Sequence, residues 1–356
     1  MLRNIPFTCF ILFFSSLTTA EVNLSGFGTL ALGIADGDSA GSFGSADGYS
    51  DSFSLAPNTF IGGQLFADIY GNLDAVVQAT VDAERGWDDA DNIDADLTWA
   101  FLSYRFNDHW QLQAGRQRMP HYAYSDQLLI SYAYHWINAP GQLYNAPFNS
   151  FNGVSLLNSF DAGAVYLSSQ LVYGEEPDSE NDIGKQYSQI WGGRLSASYQ
   201  WLTATVAYFA FDEQFEVNRP AGPGPGPGPG PANQTQVIEG TLKSWDFALK
   251  AEAGDWLILA EITSVDLRDL GDRYGIRQPV MLSVAKNIGA FTPHVSLGYN
   301  RELDFGNDDS VSPFAIIGSR WDFSNKAALK AEISTEEDEE GRTRHAFEAA
   351  LVFAIF

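Results

Sequence analysis

The chain has almost no cysteine. Cys9 is the only one in 356 residues, and it lies in an apolar run near the start. A disulfide framework and thiol chemistry are therefore excluded from the rest of the chain. Basic residues are also scarce: 20 Lys and Arg stand against 45 Asp and Glu, a formal charge of −25. Nucleic acid requires a basic face, so that partner is excluded as well. After the first twenty residues there is no apolar run of about 18 residues, so no membrane helix is expected. Catalytic patterns are missing too. No HExxH spacing occurs, and none of His109, His121, His135, His294 and His345 accompanies a nucleophile motif. An enzyme is not expected, because covalent or metal-assisted chemistry needs such groups held together.

What is present begins with a leader. Arg3 supplies a positive start, Phe7 to Leu17 an apolar stretch, and Thr18-Thr19-Ala20 small residues before Glu21. Residues 1–20 read as a secretory signal peptide, which places residues 21–356 outside the cytoplasm. In that remainder apolar residues recur every second position. Leu73, Ala75, Val77, Ala79 and Val81 alternate with Asp74, Gln78, Thr80 and Asp82. Such period-2 patterning predicts strands with one apolar and one polar face.

About sixteen such segments of about ten residues can be marked, joined by connections that alternate between short and long. Short turns are expected at Gly71-Asn72, Asn107-Asp108, Phe160-Asp161, Gln200, Gly254-Asp255, Ile288-Gly289 and Ser324-Asn325. Long connections fall between them and hold most of the acidic clusters. Sorting of connection length by parity predicts an all-β, transmembrane antiparallel β-barrel. The repeat Gly222 to Pro231 supports neither ladder nor helix. It lies in a long connection, residues 215–239, expected to be a disordered outer loop; a domain linker splitting the chain near Pro220 is the other parse.

One connection differs from the rest. The strand 109–118 runs into residues 119–150, dense in tyrosine, with Trp136, three prolines and Asp126 as its only charge. A segment this apolar and aromatic needs enclosure. The residues leave two placements open: a long surface loop packed on its own side chains, or a loop folded into the mouth of the barrel.

At this point the chain resembles the Gram-negative general porins, the sixteen-stranded trimeric diffusion channels. The resemblance rests on the leader, the opening SGFGTLALG, the strand pair AFLSYRFNDHWQLQAGRQ before the long third loop, and the terminal Phe356. It implies a passive channel in the bacterial outer membrane for small hydrophilic solutes and ions, a homotrimer, and residues 119–150 as an inward constriction loop. It also implies that Arg116, in the Gly-Arg before that loop, faces the pore. Two departures stand out: the loop carries only Asp126, and Ala354 occupies the place of a final aromatic. A sugar- or anion-specific porin and a plugged adhesin or structural barrel are the other functions considered.

Pore selectivity comes from the charges that line the narrow zone. Alternation would turn Arg116 toward lipid, where a charge costs about 2–4 kcal/mol at mid-depth. Either a bulge at Gly115 turns it inward or the arginine lies above the lipid; the resemblance to the porins favours the bulge. Arg116, Arg118 and Arg194, with Asp126, are the expected constriction charges, and they tilt the narrow zone mildly toward anions. Tyr124, Tyr134 and Trp136, with Tyr122 and Tyr132, form either a sugar-stacking track or simple packing against the wall. Arg320, Lys250 and Lys330 are expected on the lumen wall, with Asp246, Glu252 and Glu332 as neighbours. No cofactor is expected, although the acidic outer loops are candidates to hold divalent cations that bridge to lipopolysaccharide.

Overall fold

The computed structural model describes residues 21–36, 49–55, 57–85, 91–176, 185–219, 234–305, 308–337 and 341–355. The leader, the Gly-Pro repeat, most of the acidic loop tips and Phe356 lie outside them. So do the cation positions expected at those tips.

The strands are β1 (Val22–Ala35), β2 (Thr59–Tyr70), β3 (Leu73–Arg85), β4 (Asp91–Arg105), β5 (Trp110–Arg118), β6 (Ser150–Ala162), β7 (Val165–Glu176) and β8 (Gln186–Tyr199). They continue as β9 (Leu202–Arg219), β10 (Gln234–Ala253), β11 (Trp256–Asp266), β12 (Ile276–Lys286), β13 (Phe291–Phe305), β14 (Asp308–Trp321), β15 (Ala327–Glu337) and β16 (Thr343–Ile355). Each pairs antiparallel with its neighbours in sequence, and β16 pairs with β1 to close the barrel. Closure leaves no edge strand. The described residues include three single 3₁₀ turns and no α-helix.

The barrel is inverted relative to a water-soluble protein. On β3, Val77 and Val81 are 43% and 42% exposed, while Gln78 and Thr80 are 1% and 2% exposed. The same holds round the ring: Leu171, Leu282 and Leu297 are exposed, and Ser155, Ser283 and Ser296 are buried. An apolar outer face with a polar inner one is how a chain satisfies a hydrocarbon solvent outside and water inside.

Most short turns fall where expected, as at Gly71, Gly254 and Gly289, whose φ values of 61°, 62° and 63° suit glycine. The turn expected at Phe160-Asp161 is displaced. Phe160, Asp161 and Ala162 continue the ladder, and Gly163-Ala164 makes the reversal, with Gly163 at φ 68°. The 215–239 connection is also narrower than expected, because Phe215, Val217 and Ile238 alternate and pack together, so β9 runs to Arg219 and β10 starts at Gln234.

β4 reads as apolar on both faces, and the structure explains why. Gln78 pairs with Trp99 and Ala79 with Leu97, leaving Thr98 as an extra residue. This bulge shifts the alternation by one: Ile93 and Leu97 are exposed before it, Leu102 and Tyr104 after it. No bulge occurs at Gly115, which stays in continuous register with Phe101 and Gly153. Its φ of 131° and the Ala100 carbonyl oxygen, 2.3 Å from where a Cβ would sit, nonetheless admit only glycine.

Candidate functional site

The insert, residues 119–149, leaves and re-enters the barrel at one place. Arg118 pairs with Ser150, and the Met119 N–H donates to the Asn149 carbonyl at 2.9 Å. Between these points the backbone makes few regular hydrogen bonds, so its N–H and C=O groups need other partners. Strand side chains provide them, all from the face opposite the exposed apolar residues.

The Glu261 carboxylate on β11 accepts from the Ala123 N–H at 2.8 Å and from the Tyr144 hydroxyl at 2.6 Å. Glu332 on β15 accepts from the Ile137 N–H at 2.7 Å. Lys330, also on β15, donates to the carbonyls of Ser131, Tyr134 and Trp136, which uses all three ammonium protons. Arg320 on β14 donates to the Tyr132 and Tyr134 carbonyls at 2.5 and 2.9 Å and is held by Asp322. Hydroxyls complete the set. Ser244 meets the His121 ring at 2.7 Å and Ser283 meets His135 at 2.9 Å. Ser296 accepts from the Trp136 indole at 2.8 Å, and Thr29 on β1 donates to Ser131 at 2.9 Å.

Aromatic packing fills the space between. Tyr122, Tyr124, Tyr134, Trp136 and Tyr144 form one buried cluster with Leu259 and Met281, and Trp136 is fully covered. Tyr124 meets Trp136 edge-on with centroids 5.8 Å apart. Burial pushes the His121 ring down to about 4 and the Tyr134 phenol up to about 12, so both are neutral at pH 7. Of the aromatics weighed as a stacking track, Tyr122, Tyr124, Tyr134 and Trp136 are buried, and Tyr132 is half-buried with Arg320 over its ring at 4.5 Å.

The expected constriction charges are distributed as follows. Arg194 on β8 meets Asp126 at 2.6 Å. Arg116 donates to Glu176 at 2.7 Å and to the Leu97 carbonyl beside the Thr98 bulge at 2.6 Å. Its charge is thereby satisfied without a bulge at Gly115. Arg118 is buried, within electrostatic reach of Tyr134. Lys250 lies over the Tyr124 ring at 5.8 Å and 3.5 Å from Glu252. Sequence reasoning passed over Glu261, Glu348, Thr29, Ser283 and Ser296. Glu261 and Glu348 had a signal, since each is an acid flanked on both sides by apolar or small residues. Glu348 accepts from Tyr49 at 2.8 Å and Asn58 at 2.9 Å, which ties down the first long connection in the same manner.

No protein-family model matches the chain, and no curated protein matches it in sequence. Its architecture does have counterparts. OmpF of Salmonella typhi, solved with daunomycin, aligns at 12% identity with a TM-score of 0.64, over 94% of this chain and 98% of that one. An anion-selective porin from Comamonas acidovorans aligns at 14% identity and TM-score 0.59, over 95% and 100%. The trimer form of OmpT, an outer membrane protein of Vibrio cholerae, aligns at 12% and 0.61, over 95% and 100%. At these identities the likeness is one of architecture, and the chain has the fold of the outer-membrane porins.

Proposed function

We propose that the chain, after loss of residues 1–20, forms a trimeric pore in a bacterial outer membrane. Small hydrophilic solutes diffuse through it, and residues 119–149 narrow its lumen. No bond is made or broken in this task; the barrel supplies an aqueous path through lipid, with lipid and lipopolysaccharide against its outer face. The apolar outer surface, the polar inner face and the porin counterparts all support this reading. One observation carries it. Asp126 is bound to β8 through Arg194, whereas Ser131, five residues on, is bound to β1 through Thr29 and to β15 through Lys330. β8 and β1 lie almost half the ring apart. Five residue steps reach about 17 Å when extended, so a chain joining those walls must cross the interior.

The crossing divides the lumen. On this reading the insert, anchored on β10, β11, β14 and β15, fills part of the lumen, and solutes pass through the remainder. Planar-bilayer recordings test this. The wild-type protein should give steady open channels, and deletion of residues 126–130 should raise single-channel conductance severalfold. A protein silent in both forms is a plugged barrel, and equal conductance in both would mean that the crossing does not set the width.

A further inference from the structure

At the short-turn end of β4–β8 the wall forms a cavity of about 270 Å³. Gln111, Ser168, Gln170, Arg194 and the ring of Tyr166 line it. The registers put these five on one face, since Gln111 opposes Leu157, Leu157 opposes Gln170, Gln170 opposes Arg194, and Tyr166 and Ser168 follow at even spacing. That face is the inner one, opposite Leu171 and Tyr173.

Three features point to one class of ligand. First, Tyr166 is 47% exposed, so unlike the buried Tyr122, Tyr124, Tyr134 and Trp136 of the insert it offers a ring face to a solute. Second, the amides are oriented: Gln111 donates to Ser103 at 2.5 Å and Gln170 to Ser155 at 3.3 Å. Third, the cavity is charge-balanced. Arg194 is paired with Asp126, Arg105 lies 3.7 Å from Asp74, and Asp108 is also at the lining. An anion would find each guanidinium already facing a carboxylate. A neutral ring with an apolar face and a rim of hydroxyls matches the tyrosine, the amides and the remaining guanidinium N–H groups. The volume lies just below the range of about 300–1,000 Å³ typical of drug-sized ligands, which suits a single ring.

We propose that this cavity is a subsite for a neutral carbohydrate ring, stacked on Tyr166 and held at its hydroxyls by Gln111, Gln170 and Arg194. The subsite rests on the pore proposed above and gives it a preferred solute. Glucose is the probe, read in two ways: block of ion current in planar bilayers, and quenching of the protein's tryptophan fluorescence in detergent, assigned to the cavity by its weakening in Tyr166→Ala. Glucose should block and quench saturably. Tyr166→Ala should weaken both about three- to tenfold, the loss of one stacking contact, and Tyr166→Phe should retain them. Gln170→Leu, which keeps the side-chain volume, should also weaken both. Quenching with no ion current would overturn the pore while sustaining the subsite. Current that glucose leaves unblocked in the wild type, block equal in wild type and Tyr166→Ala, or tighter binding of glucose 6-phosphate than of glucose would overturn the subsite.

Discussion

The two halves of the inner wall are built from different chemistry. From β2 to β9 the inward amides and hydroxyls bond one another, Gln78 to Gln64, Gln111 to Ser103, Ser196 with Thr205 and Ser198 with Thr203, and the charges pair with other side chains, Arg105 with Asp74, Lys185 with Glu213 and Arg194 with Asp126. From β10 to β16 the wall carries Glu261, Arg320, Lys330 and Glu332, and these bond the insert. The charges of the second half therefore follow the insert's backbone. Helices and ladders satisfy their own N–H and C=O groups, whereas an irregular segment cannot, and ionised side chains make the strongest hydrogen bonds available to it. Charge on the wall of a barrel is thus as much a mark of anchoring as of ion selection.

The comparison predicts unequal responses to substitution in the two halves. Lys330→Met should have the largest effect, because it removes three hydrogen bonds from a buried ammonium. A loss of about 3–5 kcal/mol is expected, read as a lower unfolding temperature and noisier open channels. An unchanged melting curve would mean that the insert holds without its anchor.

Acid should come next. His121 is held neutral by burial, from an ordinary value of 6.5 down to about 4. A depressed histidine contributes its full stability above 6.5 and loses it as pH falls toward 4, because only the unfolded chain takes up the proton. The loss reaches about 3 kcal/mol by pH 4. Melting temperature measured against pH should fall across that window, and His121→Gln should flatten the fall; a slope identical in both proteins would assign it to other groups.

Trp136→Phe removes the indole N–H that reaches Ser296, at a cost of about 1–2 kcal/mol, measurable by denaturant unfolding. Ser196→Ala, on the other half, should stay within about 0.5 kcal/mol. If Ser196→Ala costs as much as Trp136→Phe, the two halves do not differ as described.

Much of this was legible in the residues. The alternation of Val77 and Gln78 marks both faces of β3, and the parity of connection lengths gives the closed ring. Local pattern failed where an extra residue shifted the phase: Thr98 made β4 unreadable until its pairing was known. It failed at Phe160-Asp161 because turn-forming residues there were absorbed into a longer ladder ending at Gly163. The site was half legible. Alternation identified Lys330 and Arg320 as wall residues, but which backbone carbonyl each meets depends on contacts about 190 residues apart in sequence. The same distance hid Thr29, Ser283 and Ser296, whose hydroxyls are ordinary until the insert lies on them.

Because β5 and β6 pair up to Arg118 and Ser150, and Met119 bonds Asn149 just beyond, the insert is attached to the ring at a single doorway. In evolutionary terms it is a cassette with a lock. Its length and sequence can drift without reopening the ring, since none of the sixteen strands runs through it. Exchange for a foreign loop is another matter, because Lys330, Glu332 and Glu261 would then be charges facing no backbone. A working graft needs those three wall positions rewritten with it, so the history of this pore should be recorded as paired changes in two stretches of chain far apart in sequence.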